Sequence, residues 1–301
     1  MAVSNNISCS KKPGTPIRKA TASLAVSFLV ATPLVVSTAF SPAQAHDDHT
    51  HETEYFIGVD ALQVLNRGIY SGLDNPNYNR LTFLYNHGDH FHSIGAYSYF
   101  GDIENPTIES TSTNNRIPES YTEISPLKLL PGTGIYSGRL VSTDTHEPYS
   151  DLKIEPLASL QDSPDLEAQV LFNSSDGRWN ASLTGATIGL KLASISDRLN
   201  IGNAINPNIV NNVGDIHTIG SGDNFAFTPI FWTDATAPVG NYSATFQLVD
   251  LSSNFQESGT FSFDFQVAKV PEPPTTIGFS LVALLGLSVS RLKKRFSSSF
   301  N

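Results

Sequence analysis

The chain has 301 residues, 28 of them acidic and 18 basic, and a formal net charge of −10 at pH 7. Both ends are basic, so residues 46–270 hold 27 acidic against 10 basic side chains, and their net charge of −17 excludes a nucleic-acid-binding protein and attracts cations. Cys9 is the only cysteine and precedes this body, which can therefore form no disulfide and offers no thiolate to a metal.

Residues 1–45 have the composition of a secretory signal peptide. Four basic residues between positions 11 and 19 precede an apolar run at residues 20–40. The Ala-Gln-Ala sequence that ends at Ala45 then matches the small-x-small pattern that signal peptidase cleaves. We predict cleavage after Ala45 and export; the alternative is retention of this segment as an N-terminal membrane anchor.

The segment after this cleavage point, residues 46–54, is a short arm with the sequence HDDHTHETE. Its histidines, His46, His49 and His51, lie among carboxylates and lack apolar neighbours, which predicts a flexible arm. Such an arm binds a metal weakly, lends a ligand to an ordered site, or only keeps the protein soluble. If His46 becomes the terminal residue, its free amine and ring together favour Cu²⁺.

The sequence LTFLYNHGDHFHSIGAYSYF predicts a β-hairpin in the first half of the body. Residues 81–85 form a strand, residues 86–89 supply the turn, and the chain returns from His90. The turn carries the spacing His-x-Asp-His-x-His, which also occurs in the N-terminal arm. Two copies of this spacing indicate that the histidines act together.

Three histidines of this hairpin, His87, His90 and His92, form the main candidate metal site. Side chains two positions apart on a strand share a face, so His90 and His92 project together while His87 reaches over from the turn. Three imidazoles suit Zn²⁺, and Asp89 is a fourth ligand or orients an imidazole through its other ring nitrogen. The alternatives are a hairpin whose histidines face solvent and a metal that only stiffens the hairpin.

Two histidines are isolated from these clusters. His146 lies near Asp144 and Glu147, and His217 follows Asp215. Each is a candidate to complete a metal site with residues from elsewhere in the fold, although a lone loop histidine more often binds no metal.

The body as a whole is predicted to be all-β, with one or two β-sandwich (Ig-like) units. Strand-like runs are separated by Gly, Asn, Pro and Asp, and no long window keeps a helical period. A polar linker then divides the body into two domains, residues 55–158 and 159–269. Residues 168–175, AQVLFNSS, are predicted to be a strand, and residues 104–120 a surface loop.

Aromatic residues of the second domain support the sandwich prediction. Tyr242 stands at the entrance to an alternating strand, where a tyrosine corner would lie. Phe261, Phe263 and Phe265 share one strand face, which predicts that they belong to the core.

Residues 270–301 combine a Pro-Glu-Pro sequence, an apolar stretch at residues 275–290 and a basic cluster at residues 291–295. The stretch is short for a membrane span, and the basic cluster favours the cytoplasmic side. This order resembles a PEP-CTERM sorting signal. The resemblance implies transient anchorage by a transmembrane helix, cleavage by an exosortase, and delivery to the bacterial cell surface or extracellular matrix.

A wider resemblance covers nearly the whole body. The stretches LDNPNYNRLTFLYNHGDHFHSIGAYSY, NNRIPESYTEISPLKLLPGTG, YSDLKIEP, LFNSSDGRW and FTPIFWTDATAPVGNYSATFQLVD resemble a cyanobacterial family of surface-directed PEP-CTERM proteins whose genes are controlled by the zinc-uptake repressor. It implies zinc homeostasis outside the cytoplasm. The family supplies no catalytic residues to carry over, and only the two histidine clusters match its histidine-rich positions.

We therefore expect an exported protein that binds Zn²⁺ at the cell surface and captures or buffers it under zinc limitation. A structural matrix protein with a metal-stiffened hairpin is one alternative, and a copper-binding protein that uses the terminal histidine is another. A zinc-dependent hydrolase is the third, and it lacks the HExxH and Gly-x-Ser-x-Gly motifs.

Overall fold

β-Strands make up nearly all the regular structure of residues 54–179 and 181–268, the residues that the computed structural model describes. The strands are β1 Tyr55–Val59, β2 Leu81–Asn86, β3 Phe91–Ser93, β4 Ser98–Phe100, β5 Thr107–Glu109, β6 Arg116–Ile117, β7 Leu127–Lys128, β8 Leu130–Pro131, β9 Arg139–Val141, β10 Ile154–Pro156, β11 Thr187–Ile195, β12 Asn200–Gly202, β13 Ile216–Ser221, β14 Ile230–Asp234, β15 Gly240–Asp250 and β16 Thr260–Val267. Short 3-10 helices span Ser120–Thr122, Gly134–Tyr136 and Leu157–Leu160. The all-β prediction is confirmed.

The strands form four sheets. Their orders are β10-β1-β2-β3; β13-β11-β15-β16-β6, in which β7 also pairs with β16; β12-β14-β9-β8; and β4-β5. Strands on both sides of the predicted domain boundary pair with each other, because β6 and β7 lie beside β16 and β9 lies beside β14. The boundary at residues 158/159 therefore does not separate the sheets.

The largest of the three hydrophobic clusters among the described residues is rich in aromatic side chains. Phe261, Phe263 and Phe265 of β16 are completely buried, as their alternation predicts. Phe83 of β2 stacks on Phe261 with ring centroids 4.3 Å apart, which joins the sheet of the hairpin to the sheet of β16. Large rings buried in this way position the hairpin against the second half of the chain.

Tyr242 makes the bond that a tyrosine corner requires. Its hydroxyl donates to the carbonyl oxygen of Pro238 at 2.7 Å, four residues upstream at the entrance to β15. The bond fixes the direction in which the chain enters this long strand.

The prediction of a strand at residues 168–175 is wrong, because this segment lies largely in the helix α1, Leu166–Asn173. Asp165 caps the helix by accepting a hydrogen bond from the backbone N–H of Glu167. Ala168, Leu171 and Phe172 are buried at the spacing i, i+3, i+4 on one face of the helix, and Leu171 and Phe172 belong to a smaller hydrophobic cluster with Phe56, Leu84 and Trp179. The stretch of residues 168–175 is too short for a helical period of apolar residues to be recognised in the sequence.

The predicted signal peptide, residues 1–45, the arm histidines His46, His49 and His51, and the sorting signal from position 270 onward lie outside the described residues. Within the described residues, no helix has the length and apolar character needed to cross a membrane.

Candidate metal centre

The predicted hairpin is confirmed, and it positions two of its histidines. β2 and β3 pair antiparallel with Tyr85 opposite His92, and the backbone N–H of His87 donates to the carbonyl of His90 at 2.9 Å. Gly88 stands in the turn with φ +89°, a conformation that glycine adopts without steric cost. His87 and His92 thus lie on opposite sides of the hairpin, beside its turn.

Glu119 brings a carboxylate to these histidines from a distant part of the chain. β6 pairs parallel with β16, Ile117 opposite Phe263, and the chain then delivers Glu119 just before the 3-10 helix at residues 120–122. The side chain of Glu119 is only 1% exposed, so the prediction of a surface loop at residues 104–120 is wrong for this residue. Its position depends on strand pairing, and no local sequence pattern indicates it.

The three side chains form a cluster that can hold a metal ion. Glu119 Oε2 lies 2.8 Å from His87 Nε2, and Glu119 Oε1 lies 2.8 Å from His92 Nδ1. One ligand atom from each residue lies within 4.8 Å of the others. Two ligands at 2.0–2.1 Å from a tetrahedral Zn²⁺ are about 3.4 Å apart, so each of these two nitrogen–oxygen distances would have to lengthen by about half an ångström around an ion.

The charge state of Glu119 suits a cation. Burial by itself raises the pKa of its carboxyl group, but hydrogen bonds from His92, Tyr149 and His87 outweigh burial and leave the pKa below its ordinary value. Burial lowers the pKa of His87, against the opposing hydrogen bond to Glu119. At neutral pH the cluster therefore presents a carboxylate, and His87 presents a neutral imidazole able to bind a metal.

Two tyrosines support the cluster. Tyr149, which is 2% exposed, donates its hydroxyl to Glu119 Oε2 at 3.0 Å. Tyr121 donates to the same oxygen at 3.2 Å, and its hydroxyl lies 2.9 Å from His92 Nδ1. Burial, and then the nearby charge of Glu119, raises the pKa of Tyr121 to about 12, so its phenol remains a hydrogen-bond donor at neutral pH. The sequence motifs did not single out either tyrosine.

His90 lies beside the cluster and outside it. Its ring centroid is 5.2 Å from that of His87 and 5.0 Å from that of His92, and its side chain is half exposed. Its Nδ1 is hydrogen-bonded to Asp89 Oδ1 at 2.5 Å. Asp89 is therefore hydrogen-bonded to an imidazole that lies outside the group of three, and both roles predicted for it at the metal remain predictions.

Neither isolated histidine belongs to the cluster. His146 is exposed in a loop with φ +61°, and its ring lies 3.6 Å from a carboxylate oxygen of Asp144. His217 is on β13, where it packs against Phe227, and burial lowers its pKa. Within the described residues, His87, His92 and Glu119 are the one group of three potential metal ligands whose ligand atoms lie within 4.8 Å of one another.

Replacing Tyr149 with phenylalanine is expected to weaken metal binding about tenfold, the lower end of the range for residues that orient a ligand. The substitution removes only the hydroxyl that holds Glu119, while the ring keeps its stacking on Tyr85 at 4.4 Å. Competition with a chromophoric zinc chelator measures the change. Tyr136→Phe is the matched control, because that buried hydroxyl donates to the carbonyl of Asn203 instead. Unchanged affinity in Tyr149→Phe would contradict the role assigned to the hydroxyl.

The chain matches no protein-family model, no curated protein and no solved structure.

Proposed function

We propose that the protein is an exported zinc-binding protein that captures or buffers Zn²⁺ at the bacterial cell surface. The observation that carries this proposal is the convergence of His87, His92 and Glu119, whose ligand atoms lie within 4.8 Å of one another. A net charge of −17 on residues 46–270 attracts cations to the same body.

Zinc is proposed because of the donor set. Two imidazole nitrogens and one carboxylate oxygen are common zinc ligands, whereas Ca²⁺ and Mg²⁺ prefer sites made of oxygen alone. The cluster contains no sulfur ligand for Cu⁺, although Cu²⁺ generally binds nitrogen sites more tightly than Zn²⁺ does. Three protein ligands leave a fourth coordination position for water or another ligand, as in zinc sites that exchange what they bind.

Export and surface delivery complete the proposal. They are supported by the signal-peptide pattern, by the PEP-CTERM resemblance, and by the resemblance of the body to the zinc-regulated surface family. The Ig-like sandwich packing of the body remains part of the proposal, and the tyrosine-corner bond of Tyr242 supports it.

A structural matrix protein is the second candidate. A metal held by His87, His92 and Glu119 would link the hairpin to a segment 27 to 32 residues further along the chain. Such a link would stiffen the surface of a matrix protein without any role in zinc supply. Growth of a deletion strain under zinc limitation distinguishes the two, since only the capture role predicts a growth defect.

Zinc titration of the metal-free protein tests the proposal. The background variant carries alanine at His46, His49 and His51, so that only the ordered cluster is measured. We expect one Zn²⁺ per chain, an affinity at least 100-fold lower in His92→Ala, and a loss below tenfold in His90→Ala, because His90 lies outside the three ligands. A parallel titration with Cu²⁺ compares the two metals at the same cluster. Zinc binding that survives His92→Ala would overturn this ligand set.

A further inference from the structure

A cavity of about 600 Å³ adjoins the metal cluster. His92, Glu119 and Tyr121 line one part of it, so an ion held by the cluster would be accessible from this space. The volume lies within the range of small-molecule sites in proteins. The cavity can therefore hold a metal ligand larger than water.

Two arginines, Arg67 and Arg178, line the same cavity, together with the acidic residue Asp176. Arg178 is held in place, because its Nε and Nη2 both donate to Asp60, which is completely buried. Arg67 is exposed, and no carboxylate of the described residues forms an ion pair with it. An exposed guanidinium without such a partner is available to pair with an external carboxylate.

Hydroxyl side chains that an anion could use also belong to the lining of the cavity. Ser174 and Ser175 contribute to its lining, and Ser174 is exposed. A bound carboxylate could accept a hydrogen bond from such a hydroxyl. The cavity thus combines metal, cationic and hydroxyl partners for one ligand.

The fourth coordination position is open to such a ligand. The cluster supplies three ligand atoms, so a tetrahedral ion held by them has one further position for an external group. A carboxylate oxygen is a normal zinc ligand at about 2.0–2.2 Å. A ligand with several carboxylates could bind the ion with one group and pair with a guanidinium through another, which matches the planar fork of arginine.

We propose that the cavity binds a small polycarboxylate chelator together with the zinc ion, one carboxylate completing the coordination and another pairing with Arg67. This inference rests on the proposed zinc site. It specifies the form in which the metal arrives: the protein takes up zinc as a carboxylate complex, by exchange of some of the chelator's ligand atoms for His87, His92 and Glu119.

Citrate is the probe for this proposal, and inorganic phosphate is tested as the comparison anion. Calorimetric titration of citrate into the zinc-loaded protein is expected to show a ternary complex at least tenfold tighter than citrate binding to the metal-free protein. Phosphate, which lacks a second anionic group to reach the arginine, is expected to bind at least tenfold more weakly than citrate. Equal binding of both anions would overturn the assignment to polycarboxylates.

Arg67→Met is the decisive variant, and Lys128→Met is its control. Lys128 is exposed on β7 and lies outside the cavity lining, so both variants remove one positive charge. Arg67→Met is expected to weaken citrate binding at least tenfold while zinc affinity measured without citrate stays within twofold. Lys128→Met is expected to change neither affinity.

Two outcomes separate the failure of this proposal from that of the proposed function. If zinc binds but citrate only strips it from the protein, or if both charge variants behave alike, the chelator site is overturned and the zinc site stands. If no zinc binds either with or without citrate, both proposals are overturned.

Discussion

Replacing Glu119 with glutamine is expected to lower zinc affinity at least 100-fold while leaving the fold intact. Removing a residue that only orients a metal ligand lowers the metal affinity about 10–100-fold. Loss of the anionic ligand itself should therefore lower the affinity by at least the upper end of this range. Glutamine has nearly the same shape, and its amide oxygen can still accept the hydroxyl of Tyr149, which holds Glu119 at 3.0 Å. The loss should therefore arise from the missing charge and not from a distorted site.

A competition titration against a chromophoric chelator measures this loss, with thermal unfolding of the metal-free variant as the check on folding. Glu123→Gln is the matched control, since Glu123 is an exposed carboxylate four residues further on. It removes the same charge from the same segment and is expected to change zinc affinity less than twofold. A Glu119→Gln protein that binds zinc within tenfold of the wild type would show that the carboxylate is not a ligand.

Zinc affinity is expected to be nearly constant above pH 7 and to fall by up to about 100-fold per pH unit at acidic pH. Protonated imidazole cannot coordinate a metal, so protons compete with zinc at acidic pH, and two imidazole ligands together account for up to about 100-fold per pH unit. Burial lowers the pKa of His87 below its ordinary value, so protons compete at this ligand only at a lower pH. The pKa of Glu119 is also below its ordinary value despite burial, and its carboxylate stays ionised through the range in which the histidines titrate.

Zinc dissociation constants between pH 5 and pH 8 test this dependence in the background without arm histidines. A synthetic peptide of residues 46–54 is the comparison, because its three imidazoles should take up protons near the ordinary pKa. The ordered cluster is expected to release zinc at a lower pH than this peptide. Stoichiometric zinc retained at pH 4 would contradict coordination by histidine.

The sequence alone determined the local features of this protein. Turn residues at positions 86–89 between two β-favouring runs predicted the hairpin, and the pairing of β2 with β3 confirms it. The alternation of Phe261, Phe263 and Phe265 predicted a buried face. Such patterns can be recognised in the sequence because neighbouring residues determine them. A turn depends on the residue types within it, and the side chains of one strand face recur at every second position.

The tertiary structure decided which side chains meet. His87 and His92 come from the hairpin, but Glu119 joins them because β6 pairs with β16, a contact between residues about 146 positions apart. The same packing left His90 outside the cluster and placed Arg67 and Arg178 on the wall of the adjoining cavity. Contacts of this kind depend on how sheets stack around a shared aromatic core, and that stacking is a property of the whole chain that no short window contains.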